Sequence, residues 1–290
     1  RRLAAAFLIV GMAVAFRGTG AQGAGQQFYA APGGLATNDG SFAKPLDLAT
    51  ALSSASPVKP GDTLWLRGGV YRGSFTSYLT GTSTSPIVVR QYAGERATID
   101  STPALSEGLL AFGAYTWYWG FEIMASDPTR SSSQTGSWPS DVKRGYGVTA
   151  RGRALKFINL VVHDMTNGFG LWTESVDTEA YGNLVYYNGW QAPDRAHGHG
   201  FYTQNQTGNQ RVRDNIALNQ FSHGFHSYGS EVAFLNNITL EGNIAFNNGN
   251  VSRDGPARDI LLGGGSLAQN PIVRNNSTYG AAQANFGYSA

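Results

Sequence analysis

The 290 residues contain no cysteine, which excludes a disulfide framework and any thiolate metal site. The formal net charge is only +2 and charged residues make up 14% of the chain, so nothing points to nucleic acid as a partner. With 38 glycines and frequent asparagines the composition suits a turn-rich β repeat better than a helical protein.

The chain opens with Arg1-Arg2, an uncharged apolar run over residues 3–16 and small residues up to Ala24. This is the pattern of a secretory leader. The run is shorter than the ~20 residues that span a bilayer. Residues 1–24 are therefore expected to be a signal peptide and 25–290 one domain. Removing residues 1–21 takes away Arg1, Arg2 and Arg17 but no acid, which turns +2 into −1. The expected location is bacterial and extracytoplasmic: secreted, periplasmic or cell-surface, with no stable membrane insertion once the leader is gone.

Residues 26–41 are turn-rich. Asp47 is a suitable N-cap for a short helix with Leu48, Ala51 and Leu52 on one face, placed to close the open end of a solenoid. Strands are expected at 63–67, 86–91 and 97–100, with turns at 59–62 and 68–72. From Tyr115 two strand types alternate. One starts with glycine and an apolar residue: Gly147-Val148, Gly168-Phe169, Gly200-Phe201, Gly224-Phe225 and a weaker Asp259-Ile260. The other starts with asparagine: Asn159, Asn183, Asn215, Asn243 and Asn276, spaced 24, 32, 28 and 33 residues apart. Periods of this length mark stacked repeats, and asparagines in one column can form an amide ladder. No closing element is evident after Tyr279, so further coils are an expectation.

The expected fold is all-β: a single-stranded right-handed parallel β-helix with a short N-terminal capping helix. Segments 28–33, 59–63 and 66–71 resemble the opening of secreted β-helix proteins of the pectate-lyase-like superfamily. That resemblance implies a polysaccharide as substrate. Many such lyases use a Lys or Arg base with Ca²⁺ on carboxylates. Asp177, Glu179, Asp214, Glu231, Glu241, Asp254 and Asp259 are available here, but they form no compact cluster in sequence. The region 144–250 also resembles the β-helix module of alginate C5-epimerases, whose catalytic Asp and His fall on Tyr202 and Gln204.

Three insertions, 126–144, 188–198 and 247–258, follow the second strand type and precede the first. Repeat proteins gather insertions on one face, often the binding face. Ser131–Ser133 suggest mobility in the first of them. Side chains alternate along a strand. If Phe169, Phe201 and Phe225 face inward, Thr149, Arg151, Trp172, Tyr202, Gln204, His226 and Tyr228 face outward in a stripe that ends at Leu261. Rings that stack and amides that hydrogen-bond suit sugars. His199 and His223 precede the phenylalanines by two residues. They sit either in the strand or in the corner turn.

The leading expectation is a lyase that cleaves a uronate-containing glycan by β-elimination. Tyr202, His226, Tyr228 and Arg151 are the catalytic candidates; Trp172, Gln204, His199, His223, Arg195 and Trp190 are the substrate-binding ones. A divalent metal on the histidines is a weaker alternative, because their spacing matches no established motif. A glycan-binding surface protein, a glycoside hydrolase or an epimerase on the same scaffold are the alternative functions. A monomer is expected.

Overall fold

The computed structural model describes residues 25–102, 106–265, 267–280 and 284–286. The leader expected at 1–24 lies outside them. The chain winds into a parallel β-helix of three sheets, with nine, eight and eight strands. Each full coil contributes one strand to each sheet in turn. One coil, for example, supplies Glu179–Tyr181, Leu184–Tyr186 and Phe201–Thr203. Every pairing within the three sheets is parallel and joins neighbouring coils.

Alternation within strands builds the core. Phe169, Phe201 and Phe225 are in register and stack inside the tube, with centroids 4.8 and 4.9 Å apart and ring planes within 7°. Val148 and Leu109 continue the column on one side and Ile260 on the other. Each fully buried phenylalanine removes enough apolar surface to contribute about 2–3 kcal/mol. The helix Leu48–Leu52 forms as its sequence suggests. Asp47 accepts a hydrogen bond from the Thr50 N–H at 2.9 Å, and Leu48, Ala51 and Leu52 are buried. It lies beside Phe75–Ser77, the end strand of one sheet, with the Leu52 carbonyl taking the Tyr78 N–H.

The asparagine ladder forms with one correction. Asn183, Asn215, Asn243 and Asn276 pass amide hydrogen bonds from coil to coil at 2.8, 3.0 and 2.9 Å. Asn159 is not the next rung. Val161 pairs with Leu184, so Leu160 occupies the ladder column and Asn159 lies opposite Gly182. Asn159 instead turns the corner at φ 50°, in the left-handed region that asparagine tolerates. A second ladder, Asn188–Gln220–Asn248, lines another corner and ends on Asp259. It precedes the strands on which the outward stripe stands.

Candidate functional site

The stripe exists. Thr149, Gly170, Tyr202, His226 and Leu261 are register partners on successive strands of one sheet. Two residues further along these strands, Arg151, Trp172, Gln204 and Tyr228 form the next row. Rings touch along it: Tyr146 stacks on Trp172 (6.0 Å), Trp172 meets Tyr202 (5.6 Å), and His226 meets both Tyr202 (5.2 Å) and Tyr228 (5.6 Å).

The three insertions wall this face and hold one another. The middle one forms a small antiparallel ladder, Trp190–Gln191 with Ala196–His197. Asp254 of the third insertion accepts the Ala196 N–H, and Gln191 accepts the Arg253 N–H at 2.9 Å. Asp194 accepts the Gly136 N–H of the first insertion at 3.3 Å. Ser131–Ser133, expected to be mobile, are pinned: Ser131 bridges to Gln191, and Ser132 and Ser133 hold the Asp141 carboxylate. Between loops and stripe lies a groove of three compartments, about 310, 220 and 450 Å³. Trp138, Trp172 and Trp190 line both the first and the second; Arg195 lines both the second and the third.

His199 and His223 sit in the corner turns, not in the strands. They join a column that precedes each inward residue by two: Tyr146, Asn167, His199, His223 and Arg258. Sequence reading saw the histidines but missed Tyr146 and Arg258, although the same offset from Val148 and Ile260 identifies them. His199 and His223 stack at 5.2 Å, and His226 meets both in edge-on geometry with ring centroids 4.3 and 4.7 Å away.

Hydrogen bonding settles the tautomers. The His223 N–H donates to His199 Nδ1 at 3.2 Å, and the Arg258 N–H donates to His223 Nδ1 at 3.0 Å. A neutral imidazole has one N–H, so both rings carry it on Nε2. His199 Nε2–H then donates to His226 Nδ1 at 3.0 Å, which leaves the His226 proton on Nε2 as well. All three rings are neutral at pH 7. Burial pushes His199 and His226 well below the usual imidazole range, and neighbouring histidines add to it. Burial and then the Arg258 charge bring His223 down to about 4.

This arrangement bears on metals. Possible ligand atoms of the three histidines lie within 4.8 Å of one another, a spacing that suits an ion. A ligating imidazole, however, offers one nitrogen to the metal and keeps its N–H on the other. In His199 and His223 a backbone N–H already occupies Nδ1, so Nε2 is a donor and the trio does not fit a cation. Among the described residues no three carboxylates gather into a calcium cage. Glu179 pairs with Lys156 and Arg213, Glu241 with Arg274, Asp254 ties loops together, and Asp259 is buried on Asn248. The site can nonetheless stabilise negative charge. His223, with its proton on Nε2, and the Arg195 guanidinium line the same compartment and are donors for an oxyanion or carboxylate, while His226 packs against His199, His223 and Tyr202.

Not every expected residue belongs to this centre. Arg151 sits three coils from His226, roughly 14 Å at the strand spacing of a sheet. It pairs with Glu174 at 3.1 Å and lies over Trp172, in the first compartment. It is therefore not placed to act on the atoms His226 reaches. Trp190 is 3% exposed and stacks on His197 at 4.9 Å, so it shapes the groove wall with one ring edge. Gln204 lies within 3.5 Å of the Tyr202 hydroxyl.

Among the described residues no helix is long and apolar enough to cross a membrane. Comparison with curated protein sequences returns no match. Solved structures share the fold. Pectate lyase Pel9A is 21% identical with a TM-score of 0.67, over 87% of this chain and 62% of that one. The GH136 lacto-N-biosidase from Eubacterium ramulus is 15% identical with a TM-score of 0.61, over 91% and 56%. The chain thus spans less than two thirds of the length of each. Residues 28–287 match the Pel9A-like right-handed β-helix region, and the chain belongs to that family of right-handed parallel β-helices.

Proposed function

We propose that the protein is an extracytoplasmic polysaccharide lyase that cleaves a uronate-containing glycan by β-elimination at the His199–Tyr202–His223–His226 centre. The observation that carries this reading is the neutral Nε2–H donor of His223 in the compartment it shares with Arg195, next to His226 and the two phenols in ring contact with it, Tyr202 and Tyr228. Elimination moves the C5 proton to a base, shifts its electron pair into a C4–C5 double bond and breaks the C4–O4 bond. Negative charge grows on the C6 carboxylate as the proton leaves. Neutral imidazole N–H groups and a guanidinium meet that charge without offering a proton of their own.

The tautomers change the roles expected from sequence. His226 has no free lone pair, because Nδ1 accepts from His199 and Nε2 carries the proton. It is an electrophilic donor, not the base. Proton transfer falls to Tyr202 and Tyr228, both in ring contact with it: one phenolate takes the C5 proton and one phenol protonates the leaving O4. Trp172 and Gln204 orient the sugar ring by stacking and hydrogen bonding. A hydrolase reading is disfavoured because Asp194, Asp254 and Asp259 are each engaged in holding loops or backbone and leave no carboxylate pair facing the bond.

Incubation with pectate, alginate and glycosaminoglycans, monitored by ultraviolet absorbance of the unsaturated product, tests the reading. The expected result is product on one acidic glycan, abolished in Tyr202→Phe. Absence of product on all of them, or full activity in Tyr202→Phe, refutes the lyase or its residue assignment respectively.

A further inference from the structure

The first compartment of the groove is lined by residues that carry buried polar atoms without partners. Its lining includes Arg144, whose side chain is 0% exposed. Arg144 Nη2 donates to the Asp127 carbonyl and lies 3.5 Å from the Asp127 carboxylate, while Nε and Nη1 are buried with no partner. Three other residues of the same compartment also hold buried polar atoms without a partner: Thr149 Oγ1, Trp172 Nε1 and Trp190 Nε1. The guanidinium nitrogens and indole N–H groups can only donate. Unpaired buried donors cost about 1–3 kcal/mol each and are rare unless something else completes them. Here the residues that bear them line one cavity together with the aromatic rings of Tyr146 and Trp172.

We infer that this compartment is a subsite for an acidic sugar, with Arg144 receiving the carboxylate and the indole N–H groups and Thr149 its flanking oxygens. A guanidinium nitrogen is a charged donor suited to a carboxylate oxygen, and Nη1 supplies one while Nη2 stays on Asp127. The subsite lies on the strand row that leads to Tyr202, with Thr149 two coils from it, roughly 10 Å at the strand spacing. A glycan chain bound across the stripe therefore presents a second uronate to Arg144 while another occupies the histidine centre. Glu107 also lines the cavity and accepts the Ser106 hydroxyl at 2.7 Å. This inference rests on the proposed substrate class but not on turnover.

The test is equilibrium binding, followed by fluorescence of the indoles lining the pocket. Oligogalacturonate and oligomannuronate are each compared with their methyl-esterified forms, in the Tyr202→Phe background so that no cleavage intervenes. The acid form of one of them is expected to bind at least tenfold tighter than its ester. Arg144→Met should erase that preference and leave ester binding within twofold; Arg144→Lys should keep part of it. If Arg144→Met does not fold, Trp172→Phe removes only one donor and should weaken the acid form more than the ester. Equal binding of acid and ester by the parent protein, or an undiminished preference in the folded Arg144→Met or Trp172→Phe variant, overturns the assignment. A retained preference with no product from the wild-type protein would leave the Arg144 subsite standing and remove the lyase.

Discussion

Acidification should expose the neutral histidine cluster through the stability of the fold. The perturbation is pH alone, between 7.5 and 4.5. An unfolded imidazole binds its proton from about pH 6.5 downward. Folded His223 does so only at about 4. Between these values the unfolded chain holds more protons than the folded one, so stability falls as pH drops; above about 7.5 the contribution is flat. Each pH unit of displacement is worth about 1.36 kcal/mol. His223 alone should therefore withdraw about 2 kcal/mol by pH 5 and about 3 kcal/mol in full, with His199 and His226 displaced in the same direction. Paired carboxylates such as Glu122 and Glu179 act lower, below their usual range, because their partners hold them ionised. Urea unfolding at half-unit pH steps measures the slope. His223→Asn is the matched control, since its side-chain oxygen can still accept the Arg258 N–H without titrating. The variant should lose about 2 kcal/mol less than the wild type between pH 7.5 and 5. Identical slopes in both proteins, or a His223 ring that titrates near 6.5 by NMR, would refute the tautomer assignment and with it the donor role of the cluster.

Three other outcomes follow from the same geometry. Asn215→Ala strips the buried Asn183 N–H and the Ala180 carbonyl of their partners and should cost about 2–5 kcal/mol, whereas Asn159→Gly, outside the ladder at φ 50°, should change stability by less than about 0.5 kcal/mol; chemical denaturation separates the two. Gly170→Val should impair glycan binding while the fold survives, because a Cβ there meets the Tyr146 ring at 2.8 Å and Trp172 Nε1 at 3.0 Å; binding titrations and circular dichroism check both halves. Zn²⁺ added to the purified protein should leave the histidine ring resonances unmoved, as expected when a backbone N–H occupies Nδ1 of His199 and His223; saturable shifts at a stoichiometric ratio would restore the metal reading.

Period and parity were legible in the chain itself. Glycine followed by a large apolar residue recurs at Gly168-Phe169, Gly200-Phe201 and Gly224-Phe225, and a strand alternates its sides by covalent geometry. That was sufficient to name the coil, the buried phenylalanine column, the outward stripe from Thr149 to His226 and the wall of loops beside it. The Asp47 cap and the helix it starts were equally local, since four consecutive residues decide them. Register between coils was not. The motif at Asn159 looks like the one at Asn183, yet the strands pair one residue out of step, and only the neighbouring coil reveals which asparagine bonds inward. The same holds for the chemistry. Whether an imidazole is a ligand, a base or a donor depends on which backbone N–H points at its Nδ1, and those groups belong to His223 and Arg258, 24 and 35 residues away. Arg144 shows the converse: its type and position were visible, but a buried guanidinium with Nε and Nη1 unpartnered is a property of its surroundings, created where the first two insertions meet the sheet.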